Sequence, residues 1–163
     1  MKNKLVYLPT SYTGHLRLGT LRELNDLVHW NMQKKVLQTL LSVENTEVIF
    51  KVHPKGALLD LFDFQIEYLK TLNVSLVRTP ILNYLDDIKD HGIIVSDYFG
   101  SGLFDCMERG AKCIFLDFGI REFFPEALME MKKKTKIVQA SLLNDDWTGT
   151  LKQEIQASML ELT

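Results

Sequence analysis

Cationic and imidazole side chains follow an apolar run near residue 50 of this 163-residue chain. The run EVIFKV leads directly into His-Pro-Lys-Gly, and the candidate residues are Lys51, His53, Pro54, Lys55 and Gly56. Proline suits the first position of a helix, and glycine lets a ligand approach the backbone closely. A helix start also presents unpaired N–H groups and a partial positive charge, which favour phosphate. We predict a phosphate site here, although a capping histidine beside solvated lysines explains these residues equally well.

A second candidate group lies in the stretch SDYFGSGLFD, residues 96–105. A serine hydroxyl and backbone amides at a glycine-rich turn after a strand can hold a second phosphate oxygen. An N-terminal helix cap is the alternative explanation for Ser101, but two flanking glycines exceed what a cap requires. The predicted contact residues in this stretch are Asp97, Tyr98, Gly100, Ser101, Gly102 and Asp105.

Three further residues are candidates for the same site on less evidence from the sequence. Thr10 and Ser11 lie in a polar stretch after the first apolar run, where they can line the same site. Asp117 ends the run CIFLD and can meet a ribose or a polar head group. A surface salt bridge with Arg121 is the more ordinary explanation for Asp117.

Two charged clusters are predicted to carry no chemistry. The acidic group at 86–90 lacks convergent ligands, and we therefore predict no metal site. The basic run at 132–136 is predicted to be a solvated face, with contact to an anionic membrane or polymer as the alternative.

Elements that can position these residues follow from the hydrophobic pattern. Short β-rich runs alternate with stretches of helical period, which is typical of a parallel sheet covered on both faces. The predicted strands are 4–9, 47–52, 74–79, 92–97, 112–117 and 136–139. The predicted helices are 22–43, 57–72, 81–90, 101–110, 121–133 and 146–162. We therefore predict a Rossmann-like, doubly wound α/β domain with a mostly parallel sheet of about six strands.

The first and last predicted helices show the clearest apolar stripes. In the first, the stripe comprises Leu24, Leu27, Val28, Met32, Val36, Leu37, Leu40 and Leu41. In the last, Leu151, Ile155, Met159 and Leu162 repeat at helical spacing, so this helix is expected to dock on the sheet. In open parallel sheets ligands bind outside the carboxyl ends of the strands, and the candidate loops should share that edge.

The composition of the chain limits the classes of partner that it is expected to bind. The chain is 46% hydrophobic and 25% charged with a net charge of −2, so no basic excess favours nucleic acid. Its two cysteines form neither a disulfide framework nor a CxxC pair. The basic start MKNKLVYLPTS has only a brief apolar stretch and is interpreted as a first strand. We expect a cytoplasmic protein, with a peripheral position at the inner face of the membrane as the alternative.

Together, KVHPKG and IIVSDYFGSGLFD resemble motifs of the donor-binding half of GT-B transferases. The resemblance is strongest to the CDP-glycerol glycerophosphotransferase family and its surface-polysaccharide relatives, and it covers roughly residues 5–120. The matching positions are Lys51, His53 and Pro54 in a Lys-x-His-Pro motif, and Asp97, Tyr98, Phe104 and Asp105 in a DYSS…FD motif. Phe99 and Gly100 stand where that family has paired serines, which leaves a nucleotide-sugar donor as a competitor to CDP-glycerol.

The resemblance implies a function as well as a fold. Residues 1–163 would form a single nucleotide-donor-binding domain, the second half of a GT-B enzyme whose N-terminal acceptor domain is absent. His53 would be catalytic, because it helps to stabilise the negative charge that develops on the departing nucleotide. The substrate would be a nucleotide-activated donor (CDP-glycerol, or another CDP- or UDP-linked unit), with no cofactor.

Partners would be a separate N-terminal GT-B domain or chain and a polysaccharide or lipid-linked, teichoic-acid-like acceptor. Two alternatives remain open. One is a UDP-sugar 2-epimerase-like domain, and the other is a non-catalytic nucleotide-binding or interaction module.

Overall fold

The computed structural model describes residues 3–9, 26–52, 63–78, 81–88, 92–120 and 122–162, and every structural statement below concerns these residues. Strands and helices alternate along the chain. The strands are β1 (Asn3–Leu8), β2 (Thr46–Lys51), β3 (Ser75–Val77), β4 (Gly92–Ser96), β5 (Lys112–Asp117) and β6 (Lys136–Gln139). The helices are α1 (Asp26–Leu41), α2 (Asp63–Thr71), α3 (Ile81–Ile88), α4 (Ser101–Glu108), α5 (Pro125–Lys134) and α6 (Trp147–Leu160).

The six strands form one parallel sheet in the order β3-β2-β1-β4-β5-β6. β1 lies in the middle and pairs with β2 on one side and β4 on the other. The chain first moves outward from β1 to β3 and then crosses back to β4, so the order reverses between β1 and β4. This is the doubly wound, Rossmann-like arrangement, and it confirms the predicted fold.

Helices cover both faces of the sheet. Leu5 and Tyr7 of β1 pack in a core with α1, α2 and α6, whereas Val6 faces a second core built by α3, α4 and α5. Successive side chains of a strand point to opposite faces, so central strands need apolar residues at nearly every position. The burial of every residue from Gly92 to Ser96 illustrates this requirement.

The predicted strands are confirmed to within two residues at each described end, and every predicted helix has a counterpart. Residues 22–25, 57–62, 79, 89–90 and 121 of those predictions lie outside the described residues. The helix predicted from 121 begins at Pro125, with Phe124 at the N-cap. Proline lacks an N–H and is tolerated at the first helical position, which explains the later start.

The stripe predicted for α1 is partly wrong. Val36, Leu37 and Leu40 are fully buried, but Leu27 is 68% exposed and Leu41 is 38% exposed. At 3.6 residues per turn, Leu27 lies about 180° around the helix from Val36, on the solvent face. The docking predicted for α6 is confirmed, because its residues 151 and 155 are fully buried against the sheet.

Candidate functional site

Parallel strands bring the candidate residues to one edge of the sheet. Lys51 ends β2, Asp97 directly follows β4 and Asp117 ends β5, so all three lie at the carboxyl edge. α4 begins at Ser101, four residues after Asp97, at the same edge. The crevice between β1 and β4, where the strand order reverses, is the usual ligand position in such sheets.

Two side-chain contacts fix the end of β4 against β1. Tyr7 is fully buried, and its hydroxyl donates to Asp97 Oδ2 at 2.6 Å. Ser96 Oγ lies 2.9 Å from the Leu8 carbonyl oxygen and accepts the Tyr98 N–H at 3.2 Å. A buried hydrogen bond to a carboxylate is among the stronger protein hydrogen bonds. The turn that leads into α4 is therefore held in one orientation at the crevice.

α4 begins without a side-chain cap. Gly100 occupies the N-cap position in an extended conformation, and its carbonyl accepts the amides of Leu103 at 3.0 Å and Phe104 at 3.1 Å. Ser101 is the exposed first residue of the helix, so the interpretation of its side chain as an N-cap is wrong. Within the described ranges, the Ser101 and Gly102 amides have no hydrogen-bond acceptor. These two N–H groups are available to an anion.

The two glycines of this turn have different explanations. A Cβ atom on Gly100 would lie 2.3 Å from Cε1 of Tyr98, so the Tyr98 ring packs where only glycine leaves room. A Cβ atom on Gly102 would meet nothing closer than Ile81 Cγ2 at 4.0 Å. Packing therefore explains Gly100 and leaves Gly102 unexplained. A close approach of a ligand to the backbone is a reason for glycine that packing does not supply.

Lys51 lies inside the protein at the end of β2. Its side chain is buried, and Nζ donates to the Val52 carbonyl oxygen at 2.6 Å. Burial lowers the pKa of the Lys51 ammonium, because the charged form loses its hydration. In this arrangement the ammonium contacts a backbone oxygen, and contact between Lys51 and a phosphate stays a prediction.

Asp117 is held by neutral donors. The Gly119 N–H donates to Oδ1 at 2.9 Å, and Gln139 Nε2 donates to Oδ2 at 3.0 Å across the β5–β6 pair. The expected partner in a salt bridge, Arg121, lies outside the described residues. Asp117 therefore faces the carboxyl edge as an oriented hydrogen-bond acceptor.

Several predicted site residues lie outside the described residues. These are Thr10, Ser11, His53, Pro54, Lys55 and Gly56. The structure brings Asp97, Tyr98, Gly100, Ser101 and Gly102 together in one turn, and Asp105 follows one turn into α4 as a half-buried residue.

Two residues at this edge were missed from the sequence. Tyr7 was assigned only to a strand, and its contact with Asp97 depends on β1 lying beside β4. His29 falls within the helix predicted for 22–43 and was not among the predicted site residues, yet it is 6% exposed and lines a cleft with Asp97 and Asp117. His29 precedes Val36 by seven residues, which places both on one face of α1. That heptad spacing is the signal that predicts its burial.

Of the two charged clusters, only the basic run at 132–136 lies wholly within the described residues. In the described part of the chain, no group of three or more His, Cys, Asp or Glu side chains could hold a metal ion. In the basic run, Lys133 pairs with Glu130 and Lys134 with Glu108, both exposed to solvent. These pairs neutralise much of the positive charge on a solvated face.

No protein-family model and no curated protein matches this chain. Among the described residues, no helix is both long and apolar enough to cross a membrane.

Proposed function

We propose that this chain is the donor-binding domain of a transferase. The enzyme moves a glycerol-phosphate or sugar unit from a nucleotide-activated donor to a cell-surface polysaccharide or teichoic-acid-like acceptor. The observation that carries the proposal is the uncapped start of α4 beside the β1–β4 crevice. There, the Ser101 and Gly102 amides have no acceptor among the described residues.

The diphosphate of the donor is bound at this helix start. The partial positive charge at the N-terminus of α4 favours the anion, and the Ser101 hydroxyl is exposed beside the same amides. Asp97, fixed by Tyr7, sets the turn that carries these amides. His53 is the second donor of the scheme, from the loop after β2.

Sugar transfer leaves negative charge on a departing nucleoside diphosphate. Transfer of glycerol phosphate from CDP-glycerol instead breaks the bond between the two phosphates and leaves the charge on CMP. Donors that already point at this position stabilise the charge without reorganisation, which lowers the barrier to transfer. The scheme assigns this role to the Ser101 and Gly102 amides and to His53. The acceptor side belongs to a separate N-terminal GT-B domain or chain that meets the carboxyl edge.

Calorimetric titration with CMP, CDP, UMP and UDP tests the proposal. We expect one base to be preferred and its diphosphate to bind about tenfold more tightly than its monophosphate, because the second phosphate gains charge-assisted hydrogen bonds. His53→Ala should weaken binding of the diphosphate. The control His91→Ala, at the residue that precedes β4 in the sequence, should not. Absence of affinity for all four nucleotides would contradict the proposal and favour an interaction module.

A further inference from the structure

A narrow cleft opens at the carboxyl edge between the ends of β4 and β5. Its lining includes two carboxylates, one imidazole and four phenylalanine rings. We name it the carboxylate cleft after Asp97 and Asp117, and His29, Phe99, Phe118 and Phe123 are further lining residues. The cleft adjoins the start of α4, because Phe99 directly precedes the N-cap residue Gly100. A ligand bound at the α4 amides can therefore extend into this cleft.

The interior of the carboxylate cleft has room for a group of the size of a water molecule. It holds a volume of about 20 Å³, and a cavity of roughly 10–15 Å³ is enough for one water molecule. A hydroxyl group fits this volume. Two carboxylates disfavour a phosphate there, because like charges repel strongly where water is excluded.

Both carboxylates are oriented before any ligand arrives. Asp97 receives the buried Tyr7 hydroxyl, and Asp117 receives the Gly119 amide and the Gln139 side chain. An ionised carboxylate has about four acceptor positions, so the two bonds to Asp117 leave capacity for a further donor. A hydroxyl in the cleft can therefore donate its proton to an acceptor whose position is already fixed.

Three half-buried aromatic rings belong to the lining of the cleft. Phe99, Phe118 and Phe123 are half-buried, so each ring presents part of its surface to solvent. Their positions are fixed by edge-to-face contacts, with 5.3 Å between the Phe99 and Phe123 centroids and 5.3 Å between Phe118 and Trp147. Rigid aromatic surfaces beside a few polar groups are typical of sites for flat organic ligands.

We propose that the carboxylate cleft binds the nucleoside of the donor. One ribose hydroxyl enters the cleft and donates to Asp97 or Asp117, and the base lies across the half-buried phenylalanine rings. This inference rests on the proposed function, in which the diphosphate lies outside the cleft on the α4 amides. The cleft then selects the neutral, hydroxylated part of the donor, and the helix start selects the anionic part.

Titrations of the wild-type chain with fragments of a nucleotide test the inference. Cytidine, uridine and their 2′-deoxy and 3′-deoxy analogues probe the cleft, 1-O-methyl riboside probes the sugar alone, and inorganic pyrophosphate probes the α4 amides. We expect at least one ribonucleoside to bind, with about a tenfold loss for one of its deoxy analogues, because a hydrogen bond to a carboxylate disappears. The methyl riboside should bind at least tenfold more weakly than the nucleoside.

A variant pair adds a second test. Asp117→Asn keeps an oxygen for the Gly119 amide but removes the charge, and it should weaken ribonucleoside binding about tenfold while leaving pyrophosphate binding unchanged. Glu126→Gln, which removes an exposed charge from the first turn of α5, should alter neither affinity. Melting curves check that both variants fold, and the deoxynucleoside comparison requires no variant.

The outcomes separate this inference from the proposed function. Pyrophosphate binding without ribonucleoside binding, or equal binding of ribonucleosides and both deoxy analogues, would overturn the assignment of the cleft. Methyl riboside binding as tightly as the nucleoside would overturn the position of the base. Ribonucleoside binding with the expected deoxy losses but no affinity for pyrophosphate or nucleoside diphosphates would support the cleft and overturn the donor-binding function.

Discussion

Replacing Gly102 with alanine separates the stability of α4 from its capacity to bind an anion. The added methyl group meets nothing closer than Ile81 Cγ2 at 4.0 Å, so no steric cost is expected in the free protein. Alanine is favoured over glycine within a helix by about 0.5–1 kcal/mol, which sets an upper limit on the gain in this first turn. At about 2–4 °C per kcal/mol, the melting temperature should stay unchanged or rise by up to ~4 °C.

The same substitution should lower the affinity for a nucleoside diphosphate. A Cβ atom in a helix tilts toward the helix N-terminus, so the new methyl group leans into the space where the diphosphate approaches the amides. Loss of one charge-assisted hydrogen bond costs about 1.5–3 kcal/mol. The dissociation constant for the preferred nucleoside diphosphate should therefore rise at least tenfold. Calorimetric titration and thermal melting of the same preparation measure both quantities.

Gly149→Ala provides the matched control. Gly149 lies in the first turn of α6, and a Cβ atom there also meets no neighbour within 4 Å. The control should match the stability change of Gly102→Ala and leave nucleotide affinity unaltered. Equal affinity in wild type and Gly102→Ala would refute the reasoning, because the methyl group would then stand clear of the bound ligand.

Three further predictions follow from buried polar groups. Tyr7→Phe removes the hydroxyl that donates to buried Asp97 and should lower the free energy of unfolding by about 1.5–3 kcal/mol in urea denaturation. Burial lowers the pKa of Lys51, so the unfolded chain binds more protons as pH rises toward the ordinary value of 10.5. Wild type should therefore gain stability relative to Lys51→Met over that alkaline range. Burial raises the pKa of the Cys106 thiol to about 12 and that of Cys113 further, so neither thiol should react with Ellman's reagent until the chain unfolds.

Each of these predictions has a control and a contrary result. Tyr68→Phe removes a hydroxyl from a half-buried ring outside the crevice, and an equal loss in both tyrosine variants would contradict the role of the Asp97 contact. Lys132 is exposed, so Lys132→Met should follow wild type through the alkaline range. A stability difference between wild type and Lys51→Met that is constant with pH would contradict a lowered pKa. Rapid reaction of either thiol in the folded protein would contradict its burial.

Local sequence patterns were sufficient to predict the fold. Continuous apolar runs such as GIIVS are required by strands that are covered on both faces, and they place β4 correctly. The spacing of Leu151 and Ile155 likewise predicts a helix that docks on the sheet. Errors arose where the pattern was extended too far around a helix. Leu27 was included because it widens the stripe, but it lies about 180° around the helix from Val36 and faces solvent.

The site depended on information that lies outside any single segment. The turn from Asp97 to Gly102 could be identified from its glycines and its position after an apolar run. The contact of Tyr7 with Asp97 joins residues 90 positions apart, and it exists because β4 pairs with β1. No pattern within a single segment of the sequence indicates that β1 and β4 are neighbours. The burial of Lys51 was also unexpected, because strand-end lysines are usually solvated.

A nucleotide titration followed by NMR tests the central claim most directly, because it reports each backbone amide and each imidazole separately. With CDP and UDP added to isotope-labelled protein, we predict that the amide signals of Ser101 and Gly102 and the imidazole signals of His53 shift together, with one dissociation constant. Shifts that spare Ser101 and Gly102, or no shifts at millimolar nucleotide, would contradict the claim that this edge binds a nucleotide diphosphate.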